Sequence, residues 1–345
     1  MWNDAMKLRT FLVIVLTLTC VAQTPSLPAQ DDVIRVETNL VTVPVTVKTR
    51  AGAYIPNLDA KDFQIYEDGV LQEISQFETV DKPFTVTLML DVSDSAKAEL
   101  QEIQDAALAF IDELQADDRA SIVAFDKRIS RMNEPTSDRR VLTEAVRKVQ
   151  TGGGTALYDA IASVISGKQG RTSERKAIVI LTDGIDTSSV DATSDSSLAS
   201  AAEHYALIYP IQYNSLKEIE AKRLNDSRFP PVTYTTPSGE SIAKAYERGT
   251  QYLQRLGRTS GGRFHFADNV KNLRRAFALI AQELRQQYSL SYYPKNQTTT
   301  KGKRRIKVEV SAPDAVVHAR ESYAYKLKSS HAHYPPSPTS TNPAQ

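Results

Sequence analysis

Residues 85–100 read TVTLMLDVSDSAKAEL. An apolar run stops at Asp91, and Ser93 and Ser95 follow at two-residue spacing. A short run that is apolar on both faces is the pattern of a strand covered on both sides, as in a parallel sheet. Ligands bind at the carboxyl edge of such sheets, and carboxylate and hydroxyl oxygens suit hard cations such as Mg²⁺, Mn²⁺ or Ca²⁺. The triplet therefore points to a divalent cation. Taken alone, it is explained at least as well by Ser93 or Ser95 capping the next helix.

Working outward, strands and helices alternate. After the first strand, residues 98–114 place Leu100, Ile103, Ala107, Phe110, Ile111 and Leu114 at helical spacing. RASIVAFD (119–126) reads as a strand, VLTEAVRKV (141–149) as a helix, and TGGGTALYDAIASVISG (151–167) as a glycine loop opening a helix. KAIVILTDG (176–184) is a third strand, SSLASAAEHYA (196–206) a helix, LIYPIQYN (207–214) a fourth strand. Two helices are expected near 241–256 and 268–287, with GGRFHFAD (261–268) forming a short last strand. This alternation predicts an α/β fold: a doubly wound, mostly parallel sheet with helices on both faces.

Two further oxygen sources change the weight of the opening triplet. Thr155 sits on the glycine-rich loop just before a helix, and Asp183 ends another apolar strand, as Asp91 does. Three loops thus bring oxygens to one edge of one sheet.

The set DVSDS (91–95), Thr155 and TDG (182–184) resembles the metal-ion-dependent adhesion site of von Willebrand factor type A (VWFA) domains, over about residues 83–287. The flanking β segments also resemble exported bacterial proteins with VWFA-related domains. The resemblance implies a Rossmann-like sheet. It implies that Ser93, Ser95 and Thr155 bind the metal through hydroxyls. Asp91 and Asp183 would then hold it largely through water, or directly when the site changes state. Neutral hydroxyls leave the cation electrophilic, and Mg²⁺ keeps waters readily. A partner protein's acidic side chain can then replace one water.

Around the site, Gly152 to Gly154 are expected to let the Thr155 loop approach closely and shift when a ligand arrives, a role compatible with a plain tight turn. Asp159 is read as orienting neighbouring groups, Asp186 as helping its loop turn, and Asp94 as facing water. Residues 215–240 are polar and turn-rich, an inserted loop on the same edge. Arg223, Arg228, Phe229 and Tyr234 could border a ligand surface there, or the loop could be simply solvated.

The flanks differ in pattern. In VTVPVTVK (41–48) Val41, Val43, Val45 and Val47 alternate with polar residues, and Pro44 suggests an edge strand. Residues 62–77 read as one hairpin, Phe63 and Ile65 leading in, Glu67-Asp68-Gly69 turning, Ile74 and Phe77 leading out. Past the last helix, Tyr288, Leu290 and Tyr292, then Ile306, Val308 and Val310, then AVVHARESYAYK (315–326) suggest three strands. Three strands are few for an independent unit. They either complete one sandwich with residues 32–82 or form a separate appendage.

At the N-terminus, Lys7 and Arg9 precede the apolar FLVIVLTLTCVA (11–22), the pattern of a signal peptide cleaved after Ala22 or at the later Ala29. The run is shorter than the ~20 residues of a membrane span, so no lasting anchor is expected. Thr19 and Thr17 fit a lipoprotein signal poorly. The organisation is thus a signal at 1–22, a β region at 32–82, an α/β domain at 83–287, strands at 288–327 and a disordered tail at 328–345 rich in Pro, Ser and Thr. His331 and His333 in that tail are expected to be solvated.

Composition excludes several classes. The formal charge is +1, which gives no reason to expect nucleic acid as a partner. Cys20 is the one cysteine, so removal of the signal would leave no disulfide or thiolate metal site. A metal-dependent phosphoester hydrolase would need a nucleophile or base beside the cation. Ser93 stands where such enzymes carry a second acid, and none of the three loops carries a histidine. Phosphate-loop and G-x-S-x-G patterns are absent. The expected function is non-enzymatic: an exported, periplasmic or extracellular module that binds a partner protein through the cation. A structural protein with a fold-stabilising metal is the alternative.

Overall fold

The structure, a computed structural model, describes residues 40–80, 82–93, 96–97, 99–167, 175–204, 206–213, 235–296 and 302–325. The expected signal segment and tail, Asp94, Ser95, and loop residues Arg223, Arg228, Phe229 and Tyr234 lie outside them. Among the described residues no helix is long and apolar enough to cross a membrane.

β1 (Val41–Thr49), β2 (Phe63–Glu67), β3 (Val70–Gln72) and β4 (Ile74–Glu78) come first. The α/β unit follows with β5 (Phe84–Asp91), α1 (Leu100–Glu113), β6 (Arg119–Phe125), β7 (Ile129–Arg131), α2 (Arg139–Arg147), α3 (Leu157–Ser166) and β8 (Arg175–Thr182). It continues through α4 (Ser194–Glu203), β9 (Leu207–Tyr213), α5 (Ile242–Ser260), β10 (His265–Ala267) and α6 (Val270–Arg285). The chain then returns to strands: β11 (Gln287–Tyr292), β12 (Gly302–Val310), β13 (Ala315–Ala319) and β14 (Ser322–Tyr325).

The central sheet runs β10-β9-β8-β5-β6-β7, parallel except for β7, which pairs antiparallel with β6. All eight residues of β5 are buried, because helices cover both faces. On one face Val86, Leu88 and Leu90 pack with Phe110 of α1, Leu142 of α2 and Phe277 of α6. On the other, Met89, Ile178 and Ile180 pack with Leu157 and Ile161 of α3, Leu198 of α4 and Leu253 of α5. β5 has β6 on one side and β8 on the other, so the winding direction reverses beside it. The carboxyl ends of β5 and β8 flank the crevice where such folds place their ligands.

The flanks intermix. One four-stranded sheet runs β13-β1-β11-β4 and the other β14-β12-β2-β3. Val43, Val45, Phe63, Ile65, Tyr288, Leu290, Ile306 and Tyr323 share one core drawn from both sheets. The α/β unit is thus inserted into a sandwich built by both ends of the described chain.

Three strand expectations change. β1 lies inside its sheet rather than at an edge. Pro44 is tolerated because β13 pairs only from Val45 onward, leaving β11 as the neighbour at Pro44. The expected hairpin at 62–77 divides. β2 and β3 pair, whereas β4, with Ile74 and Phe77, crosses to lie beside β11 in the opposite sheet. The last run forms two strands, broken at Arg320, whose side chain leaves the sandwich to cap a helix.

That side chain is 2% exposed. Its guanidinium donates to the carbonyls of Ala202 (2.7 Å) and His204 (3.2 Å) at the end of α4, and to that of Ser322 (3.2 Å). These last helical carbonyls have no partner within the helix. Arg175, where β8 starts, binds both chain crossings, donating to the carbonyls of Lys82 (3.2 Å), Leu284 (3.0 Å) and Gln287. Within the sandwich, buried Glu67 pairs with Arg304 and accepts the hydroxyls of Tyr292 and Tyr323, each at 2.7 Å.

Candidate metal site

Parallel pairing of β5 with β8 sets Leu90 opposite Leu181, so Asp91 and Thr182 follow side by side at the carboxyl edge. Asp91 is wholly buried. Its Oδ2 accepts the Thr182 hydroxyl at 2.6 Å and its Oδ1 the Ser93 N–H at 3.2 Å. Burial, and next the negative charge of Asp183, push its carboxyl up to about 7, against the lowering effect of the bonds from Thr182 and Ser93. The charge of Asp183 thus stands close enough to oppose ionisation of Asp91.

Asp183 is buried at the end of β8, its Oδ1 accepting the Ile185 N–H at 2.9 Å. Its carbonyl is held by Gln212 Nε2 at 2.7 Å, and Gln212 is itself bonded by the Thr250 hydroxyl at 2.9 Å. β9 and α5 therefore both help to set this loop. Tyr246 on α5 senses the same charge. Burial first, then Asp183, raises its phenol above the ordinary value.

The glycine loop closes the circle. Gly152 N–H donates to the Val92 carbonyl at 2.8 Å, joining it to the end of β5. The Thr155 carbonyl accepts the N–H groups of Thr187 and Ser188, both at 2.9 Å, joining it to the loop after β8. Thr182 then returns to Asp91. A side chain at Gly152 would run into the Asp126 carboxylate, with a Cβ 1.6 Å from Oδ2. Gly154 has φ +65°, the left-handed region that glycine enters freely. Close approach is thus real.

Ser93 and Thr155 are buried at this edge with Asp91 and Asp183, on the three loops expected to converge. Asp159, read from sequence as orienting its neighbours, and Asp186, read as helping its loop turn, each bind backbone across the two loops. Asp186 accepts from Tyr158 N–H (3.3 Å) and from the Ser189 hydroxyl (2.5 Å). Asp159 accepts from Val190 (2.8 Å), Asp191 (3.1 Å) and Ala192 (2.6 Å) N–H groups.

Three contributors lie outside the expected ligand set: Thr182, Asp126 and Gln212. Thr182 is a buried polar residue closing an apolar strand, which already demands a partner. Asp126 directly follows β6, as Asp183 directly follows β8. Its carbonyl accepts Ala156 N–H at 2.8 Å, and its carboxylate is engaged by Arg128 through the backbone N–H (2.6 Å) and the guanidinium (3.3 Å). Among the described residues no three His, Cys, Asp or Glu side chains gather as a metal cluster. The donor set is two carboxylates with hydroxyls around them, a chemistry that fits a hard cation.

Residues 86–185 match the family model of the von Willebrand factor type A domain. An uncharacterized protein of Synechocystis sp. is 34% identical over 109 residues, 30% of this chain and 25% of that protein. The chain thus spans about a quarter of the length of the curated relative it matches. Among solved structures, the conserved hypothetical protein BatB from Bacteroides thetaiotaomicron is 19% identical with a TM-score of 0.43, covering 58% of this chain and 97% of its own. A von Willebrand factor type A structure from Catenulispora acidiphila is 12% identical with a TM-score of 0.46, covering 76% and 73%.

Proposed function

We propose that this chain is an exported, non-enzymatic module that binds a partner protein through a divalent cation. The carrying observation is the pair Asp91 and Asp183: two buried carboxylates at one sheet edge, where burial first and then the Asp183 charge raise the Asp91 carboxyl well above the ordinary range. A divalent cation removes both penalties at once.

Asp91, Ser93, Ser95, Thr155 and Asp183 would hold Mg²⁺, Mn²⁺ or Ca²⁺. When bound, the ion supplies an electrophile that exchanges a water for a carboxylate oxygen of the partner. The chain's own part is to fix the oxygens. Thr182 orients Asp91, Gln212 holds the Asp183 backbone, and Gly152 brings the Thr155 loop against the end of β5. Export rests on the signal-like pattern of residues 7–22.

Calorimetric titration of the purified protein with Mg²⁺ and Mn²⁺, beside an Asp91→Ala/Ser93→Ala double variant, tests the cation. Saturable binding by the parent and none by the folded variant is expected. A blank titration of the folded parent, repeated in millimolar acetate to supply a carboxylate, overturns the reading.

A further inference from the structure

Two carboxylates beside the site face each other's backbone. Asp186, on the loop after β8, reaches the start of α3, accepting the N–H of Tyr158 at 3.3 Å. Ala156, the residue that precedes α3, offers no side-chain cap of its own. Asp186 therefore supplies from another loop the acceptor that helix starts require.

Asp159, in the first turn of α3, reaches back. Its two oxygens take three consecutive N–H groups of the β8–α4 loop, those of Val190, Asp191 and Ala192. Its own N–H donates to the Ser189 hydroxyl at 3.1 Å. Thr155 N–H donates to Thr187 Oγ1 at 2.9 Å, and the Thr155 carbonyl takes two N–H groups in return. Each loop thus satisfies the backbone of the other. Val190 is 88% exposed on this loop, so apolar burial does not hold its backbone in place.

The geometry points to Asp159 and Asp186 as positioning residues that lock the Thr155 and Asp183 loops into one body before any cation arrives. This rests on the cation-binding reading for its consequence, but the lock itself is a property of the backbone. A cation then enters a formed cup, and the Thr155 loop does not shift on its own when a ligand binds. Losing a group that orients metal ligands typically weakens metal affinity about 10–100-fold. The fold should survive the loss of Asp159, because Val190 and Asp191 are exposed and their N–H groups can turn to water.

The test pairs amide hydrogen exchange with Mn²⁺ calorimetry on the full chain, Asp159→Ala and Asp159→Asn. In the parent, the 190–192 amides should be protected equally in chelator and in Mn²⁺. Asp159→Ala should expose them and weaken Mn²⁺ binding about tenfold or more, with an unchanged thermal midpoint in chelator. Asp159→Asn keeps an acceptor oxygen but loses the charge, and should fall between the two. Protection that appears only with Mn²⁺ overturns the lock, as do equal affinities in all three proteins. An Asn variant as weak as Ala also overturns it, since charge alone would then explain the loss. If the parent binds no Mn²⁺, the cation reading falls while the exchange data still decide the lock. Asp186→Asn, read by exchange at Tyr158, decides it from the other side should Asp159→Ala not fold.

Discussion

The hydroxyl of Thr182 donates to Asp91 Oδ2 at 2.6 Å while accepting the N–H of Gly184 at 3.0 Å. The Gly184 bond leaves Thr182 only one direction for its proton, toward the aspartate. Replacing Thr182 with Val keeps the shape and removes the donor. A buried acceptor that loses its partner costs about 1–3 kcal/mol. Urea unfolding in chelator should show that loss, and Thr182→Ser should restore most of it. A Val variant as stable as the parent would contradict the assigned bond.

The same carboxylate sets a pH dependence. Folded Asp91, up to about 7, lies above its value of 3.8 in the unfolded chain. Between these values the folded chain keeps a proton the unfolded chain has released. Its contribution to stability is full below about pH 4 and is lost as pH rises through 7, on the order of 4 kcal/mol in total. Metal-free protein should therefore lose this contribution between about pH 4 and pH 7, as read from denaturation midpoints. Saturating Mn²⁺ should remove the loss and stabilise more at pH 8 than at pH 5, since at low pH the ion competes with a proton.

In the sandwich, Glu67→Gln would leave the Arg304 charge buried without its carboxylate. Breaking a buried pair on one side costs about 3–5 kcal/mol. The double variant Glu67→Gln/Arg304→Met should recover much of this, which a denaturation cycle over the four proteins measures. Equal losses in the single and double variants would show that Tyr292 and Tyr323, not the ion pair, carry the network.

Arg320→Met should destabilise the chain by about 3 kcal/mol, because the Ala202 and His204 carbonyls are left in a buried setting. Arg320→Lys should rescue little. A single ammonium cannot reproduce a planar fork that spans three carbonyls. Thermal unfolding of the three proteins distinguishes lost packing from lost donors.

Much of this was legible in the chain. Asp91 and Asp183 were readable because each follows a strand apolar on both faces, and a parallel sheet puts all such ends on one edge. Thr155 was readable from its glycines. Asp126 carries the same signal after AFD, but its carboxylate is occupied by Arg128. Strand partners were less legible. Ile74 and Phe77 mark β4 as a half-buried strand but do not show that it leaves β3 for β11. Pro44 shows the same limit, since a strand can be internal while one of its residues has a single neighbour. The clasp between Asp159 and the loop at 190–192 joins a side chain to backbone amides, and amides leave no trace in residue identity.

The insertion of the α/β unit has a mechanical consequence. Entry at Lys82 and exit at Leu284 to Gln287 are tied together by Arg175, at the amino end of the sheet. Asp91 lies at the other end of β5, seven residues beyond Phe84 or about 23 Å along the strand. A pull applied at that far edge and resisted at the sandwich runs along the strands and reaches two adjacent covalent tethers at once. The load divides between them, and the sheet is stretched lengthwise, with its hydrogen bonds loaded in shear instead of being peeled one after another.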